Sequence, residues 1–168
     1  MDRSKSKSDT GFQPVSSFKI TRRTLPHWQE SERSYFLTWR CVRGERLTPE
    51  ERKITLEALR YWDDRKWIIY AAVVMPDHVH VLAQPLPKNE KGAFDLGEIL
   101  HSVKGYSAHR INQERGRQGS LWQDERFDRI VRDDKEFEEK WRYITNNPVK
   151  NGLSQRPEEY PWLYEKVL

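Results

Sequence analysis

The sequence predicts an α+β fold, a mainly antiparallel sheet with helices packed on it. Three observations carry this expectation. Strand-like and helix-like segments follow in the order β, α, β, β, α, β, α; two of the strands are separated only by a Pro-Asp bend; and the first helical segment opens with a complete start signal.

The first strand is "SYFLTWRCV", residues 34–42, dense in aromatic and β-branched side chains. "LTPEERKITLEALRYWDDRK" follows as a helix. Thr48 is placed to cap it, Pro49 suits the first helical position and Glu51 completes a capping box, while Ile54, Leu56, Leu59 and Trp62 recur at roughly helical spacing. "WIIYAAVVM", residues 67–75, is apolar at every alternate position on both faces, as expected of a strand inside a sheet. Pro76 and Asp77 form a bend, and "HVHVLAQP" resumes as a strand.

Beyond that strand, "LPKNEKGAF" reads as a loop. "DLGEILHSVKGYSAHRINQERG" reads as a helix with Leu96, Ile99, Leu100, Val103 and Ile111 on its apolar face, ending at Gly116. "GRQGSLWQDERF" is loop-like, "FDRIV" a short strand, and a last helix starts near Asp133 and is expected to stop at Asn147, because Pro148 follows. No internal repeat is evident.

With 168 residues the chain suits one domain, expected over 24–168, preceded by a flexible basic arm over 1–23. That arm holds six Lys/Arg against two Asp and so accounts for the whole net charge of +4; the remainder balances at 24 basic and 24 acidic residues. Such an arm suits a polyanion such as DNA, and equally a solvated terminus with no further role. Seven Trp, seven Tyr and six Phe argue against a disordered chain despite 33% charged residues. One cysteine, Cys41, excludes an internal disulfide and a CxxC metal site, and no apolar run approaches a membrane span. These features lead to the expectation of a soluble, cytoplasmic protein with no membrane partner.

"MPDHVHVLAQP" places two histidines one residue apart within an apolar strand. Alternation sends Val79, Val81 and Ala83 to one face and His78 and His80 together to the other, about 7 Å apart along the strand. Neutral imidazoles in that arrangement form a two-ligand platform for a metal ion, or a half-buried hydrogen-bonded polar patch. In the last helix, Phe137, Trp141 and Ile144 define the core stripe, and Tyr143 and Asn147 share a flank one turn apart. They suit either an ordinary boundary tyrosine beside a helix-end asparagine, or a phenol and an amide facing the imidazole pair.

Taken together, "VVMPDHVHVLAQP", "ILHSVKGYSAHRIN", "LWQDERFDRIVRDDKEFEEKWRYITNNPVKNGL" and "RPEEYPW" resemble the REP-associated tyrosine transposases, single-tyrosine transposases of the HUH superfamily, in order from about Leu25 to Trp162. The resemblance implies a ferredoxin-like, RRM-like HUH nuclease fold. It implies a transposase that cuts and rejoins single-stranded or hairpin DNA through a 5′-phosphotyrosine, with Tyr143 as the nucleophile and His78, His80 and Asn147 as ligands of a divalent metal, Mg²⁺ or Mn²⁺. Lys104 falls at the family's lysine position and implies, more weakly, a DNA contact; Arg22 and Arg23 lie in the stretch expected to touch DNA. The resemblance leaves monomer and homodimer both open. "PWLYEKVL" lacks the paired serines that often follow "YPW" in the family, which leaves the role of the C-terminal tail open.

Two rivals follow from the same residues. A catalytically silent DNA-binding regulator of the same fold is disfavoured because all the motif residues are present. A small-molecule metallohydrolase is disfavoured because no further histidine stands at a ligand spacing.

Overall fold

The computed structural model describes residues 33–90 and 92–166 in full and, before them, the backbone of two short strands. Those two, β1 (Lys19–Arg22) and β2 (Pro26–Gln29), pair antiparallel. The last residues of the expected arm thus lie in a strand, while residues 1–18 lie outside the described residues.

The central sheet is built from β3 (Tyr35–Cys41), β4 (Trp67–Val74), β5 (His78–Pro85), β8 (Trp122–Ile130) and β9 (Leu163–Glu165). Its order is β8-β3-β5-β4-β9, and every neighbouring pair is antiparallel. Between β5 and the next helix, β6 (Pro87–Asn89) and β7 (Gly92–Ala93) make a small ribbon where a loop was expected.

Three helices cover the sheet. α1 (Pro49–Tyr61) starts as its sequence predicts: the Thr48 hydroxyl accepts from the Glu51 N–H, and the Glu51 carboxylate accepts from the Thr48 N–H at 2.8 Å. α2 (Leu96–Glu114) is capped by Asp95. Both helices bury their apolar stripes on the face that carries Leu37, Trp39, Val79, Val81 and Ala83. Arg115, at the end of α2, reaches back to the Glu51 carboxylate through Nε at 2.5 Å and Nη2 at 2.7 Å, tying the end of one helix to the start of the other.

α3 (Asp134–Lys150) covers the opposite face, where Phe36, Ala71, Val73, Met75 and Leu82 meet Ile144, with Phe137 and Trp141 packed beside them. The alternation of β5 sends His78 and His80 to this same face. The single helix therefore lies on the histidine side of the sheet.

Two expectations are corrected here, and the tail whose role was open finds its place. β8 begins at Trp122 rather than at Phe127. It is an edge strand, held by backbone pairing to β3 along one side, so its solvent-facing residues carry no apolar alternation to announce it. The tail that follows "YPW" forms β9 against β4, and the Tyr160 hydroxyl donates to the Val74 carbonyl at 2.9 Å. Finally, α3 continues through Pro148 to Lys150. Pro148 removes one helical donor, but Ile144, Thr145, Asn147 and Pro148 are all buried, and that packing holds the turn in place. The Asn151 N–H then donates to the Asn147 carbonyl at 3.1 Å and closes the end.

Candidate active site

The site lies between the middle strand of the sheet and α3. His80 comes from β5, almost completely buried at 4% exposure. Register sets it beside Thr38 of β3, and its Nδ1 lies 2.7 Å from the Thr38 hydroxyl. Its other nitrogen, Nε2, is buried with no hydrogen-bond partner among the described residues. An unpaired buried nitrogen is costly unless something else occupies it. Burial, reinforced by the neighbouring His78 and Arg40, pushes the His80 pKa down to about 3, so the ring is neutral with a lone pair to offer.

His78 is oriented in a parallel way. Its Nδ1 lies 2.7 Å from Asp77 Oδ1. Burial raises the Asp77 pKa, but the hydrogen bond and charge of His78, followed by Arg40 and Arg46, outweigh it and leave the carboxylate below its ordinary range. The two imidazoles lean together, with ring centroids 4.7 Å apart, closer than the rise along the strand. Each ring is thus held through Nδ1, which makes Nε2 the atom that could meet a metal.

From α3, the Tyr143 ring stands edge-on to His80 with centroids 5.1 Å apart, and edge-on to Phe36 at 5.8 Å. Phe36 in turn stacks on His80 at 5.5 Å. Tyr143 is 44% exposed, half in solvent although its ring packs beside two others. One turn on, Asn147 is 4% exposed, deeper than the flank position its sequence suggests. Asn151 Nδ2 donates to its backbone carbonyl at 2.8 Å and to its Oδ1 at 3.1 Å.

Two imidazoles and a carboxamide oxygen are donors that could hold a hard or borderline divalent cation. Among the described residues no three His, Cys, Asp or Glu side chains cluster as a metal site. Asn147, one turn beyond Tyr143 on α3, carries a carboxamide oxygen that could serve beside the two imidazoles.

The structure brings His78, His80 and Tyr143 together and places Asn147 on the same helix. Lys104 lies elsewhere. It belongs to α2, the layer on the far face of the sheet, and its ammonium donates to the backbone carbonyls of Gln123 at 2.7 Å and Asp124 at 3.3 Å. Arg22 is the last residue of β1, its side chain outside the described residues, and Arg23 lies outside them altogether. Thr38, Asp77 and Asn151 were missed by sequence reasoning. Only Asp77 had a visible signal, its place immediately before His78; Thr38 joins the site solely through cross-strand register.

The sequence profile of the family described as Transposase IS200 like matches residues 31–147. A Haemophilus influenzae protein assigned provisionally to the REP-associated tyrosine transposases is 29% identical over 98 residues, covering 55% of this chain and 55% of that protein. The chain thus spans about half the length of that relative. The REP-associated tyrosine transposase of Escherichia coli K12 is 24% identical over 120 residues, which is 71% of this chain and 67% of the relative. In three dimensions, the fold matches a REP-associated tyrosine transposase solved with a REP hairpin, with a TM-score of 0.65 at 23% identity, over 79% of this chain and 76% of that one. Two thirds of the chain fall within the family profile, including both histidines, Tyr143 and Asn147, and the chain belongs to the IS200-like transposase family.

Proposed function

We propose that the chain is a metal-dependent endonuclease and strand transferase for single-stranded DNA, acting on hairpin or REP-type palindromic DNA in transposition. The observation that carries this reading is the juxtaposition of the exposed Tyr143 ring with His80, whose buried Nε2 has no partner among the described residues.

His78, His80 and Asn147 would hold a divalent cation, Mg²⁺ or Mn²⁺. When bound, such an ion neutralises phosphate charge and polarises the phosphorus for attack. Thr38 and Asp77, each 2.7 Å from an imidazole Nδ1, would orient the two rings so that Nε2 faces the cation. Phe36 packs against both His80 and Tyr143 and would keep the nucleophile beside that ligand.

In the transfer step, Tyr143 Oη attacks phosphorus in line. The Oη–P bond forms as the P–O3′ bond breaks, the phenol loses its proton, and the departing 3′ oxygen gains one. The product is a 5′-phosphotyrosine and a free 3′-hydroxyl. Because one phosphodiester replaces another, the reverse attack by a different 3′-hydroxyl rejoins strands with no external energy source.

The test is incubation of the protein with hairpin-bearing single-stranded DNA of randomised flanks in the presence of Mn²⁺. The expected result is cutting that disappears with a chelator and in Tyr143→Phe. Tight, hairpin-selective binding with no cutting under any divalent ion would instead identify a silent regulator.

A further inference from the structure

On the histidine face of the edge strand stands an aromatic side chain that neither the core nor the proposed reaction uses. Phe127 is 55% exposed, and unlike the exposed Tyr61, Tyr106 and Tyr143 it has no hydroxyl to place in water. Register aligns it with Thr38, which is aligned with His80, so all three side chains leave the same face in one row across β8, β3 and β5. Its ring meets Phe36 edge-on at 6.4 Å, and Phe36 touches Tyr143 and His80 on its other side. The exposed phenylalanine and the exposed tyrosine thus flank one buried ring. Lys140, one turn before Tyr143 on α3, lies with its ammonium 5.1 Å from the centre of that same ring.

An exposed aromatic face, a neighbouring cation and an adjacent nucleophile are what a single strand of DNA requires of a surface: stacking for an unpaired base and charge for a phosphate. We propose that Phe127 is the stacking platform for an unpaired nucleobase beside the scissile phosphate, and that Lys140 holds a phosphate of the same strand. The proposal rests on the single-stranded DNA reading above and adds where that strand runs: from Tyr143 across Phe36 toward the β8 edge. Stacking on one ring tolerates every base, so this contact contributes affinity and path rather than sequence choice.

The experiment measures binding by fluorescence anisotropy, using a hairpin oligonucleotide with a single-stranded flank, in a Tyr143→Phe background so that no cutting intervenes. Phe127→Leu keeps an apolar side chain and removes the flat face; it is expected to weaken binding roughly 5- to 150-fold, with the salt slope unchanged and the melting temperature of the protein preserved. Phe127→Tyr is expected to bind within about twofold of the parent background. Lys140→Gln is expected to reduce the slope of log K against log salt by about 0.7, as loss of one phosphate contact on a single strand does. The proposal is overturned if Phe127→Leu binds as the parent does, or if it changes only the oligomeric state, which would make Phe127 a contact with a second copy. Cutting is scored separately with Tyr143 restored. A parent that never cuts, combined with the predicted loss in Phe127→Leu, removes the nuclease reading and leaves the platform standing; a parent that cuts, alongside a Phe127→Leu variant that binds and cuts equally well, removes the platform alone.

Discussion

Replacing Thr38 by Val changes one atom that matters. The shape is nearly kept and the backbone pairing of β3 with β5 is untouched, but the hydroxyl 2.7 Å from His80 Nδ1 is gone. His80 is too buried for water to substitute, so Nδ1 joins Nε2 as a buried nitrogen without a partner. Leaving such a group unsatisfied costs about 1–3 kcal/mol; since Thr38 itself is only partly buried, the lower half of that range, about 1–2 kcal/mol, is expected. For a chain of this length that amounts to a fall in melting temperature of roughly 2–8 °C. Urea unfolding should show a lower midpoint with an unchanged slope. The second effect is on the proposed metal: an imidazole free to turn and to change tautomer should bind Mn²⁺ about 10- to 100-fold more weakly, read by calorimetry. A variant with parental stability and parental Mn²⁺ affinity would refute the idea that Thr38 orients this ring.

Asn151→Ala removes the donor shared by the Asn147 carbonyl and Oδ1; a loss of about 0.5–1.5 kcal/mol in urea unfolding is expected, together with weaker Mn²⁺ binding. Burial raises the Glu51 pKa, but the Arg115 hydrogen bond and the Thr48 N–H overcome it and set the folded value below the ordinary one. The stabilisation is therefore present above about pH 4.3, the value in an unfolded chain, and is lost as pH falls through the lower folded value. Glu51→Gln should cost stability at pH 7 and flatten the acid limb of the stability curve, measured by urea midpoints between pH 3 and 7. Burial, with smaller contributions from Asp77 and Glu45, pushes the Cys41 thiol up to about 12, so at pH 8 it should react with a thiol reagent only along the unfolding transition. Fast labelling of the folded protein would contradict the packing of β3.

How much of this was legible in the sequence depended on whether a signal was local. The Thr48–Glu51 capping box, the period-two alternation of His78 and His80, and the helical stripe of Phe137, Trp141 and Ile144 are each contained within a few residues, and each appears in the structure as expected. Which face α3 covers was open, because periodicity orders residues within one element and says nothing about the neighbouring layer. β8 was half missed, since an edge strand is held by backbone pairing that leaves little trace in its side chains. Pro148 misled for the opposite reason: a strong local rule gave way to a buried turn. Thr38 belongs to the site only through its pairing with His80, 42 residues away, and nothing in "YFLTWRC" distinguishes it from any other strand threonine. Lys104 was chosen by resemblance alone, and its ammonium donates to the backbone at the start of the edge strand, a contact no local pattern announces.

The most direct measurement is the identity of the residue that becomes joined to DNA. After reaction with hairpin-bearing single-stranded DNA and Mn²⁺, denaturation and digestion with nuclease and trypsin, mass spectrometry should find one peptide carrying a nucleotide 5′-phosphate, the segment from Tyr143 to Lys150, with the modification on Tyr143. Attachment at any other tyrosine, or DNA cut with no protein-linked 5′ end, would contradict the assignment of Tyr143 as the nucleophile beside the histidine pair.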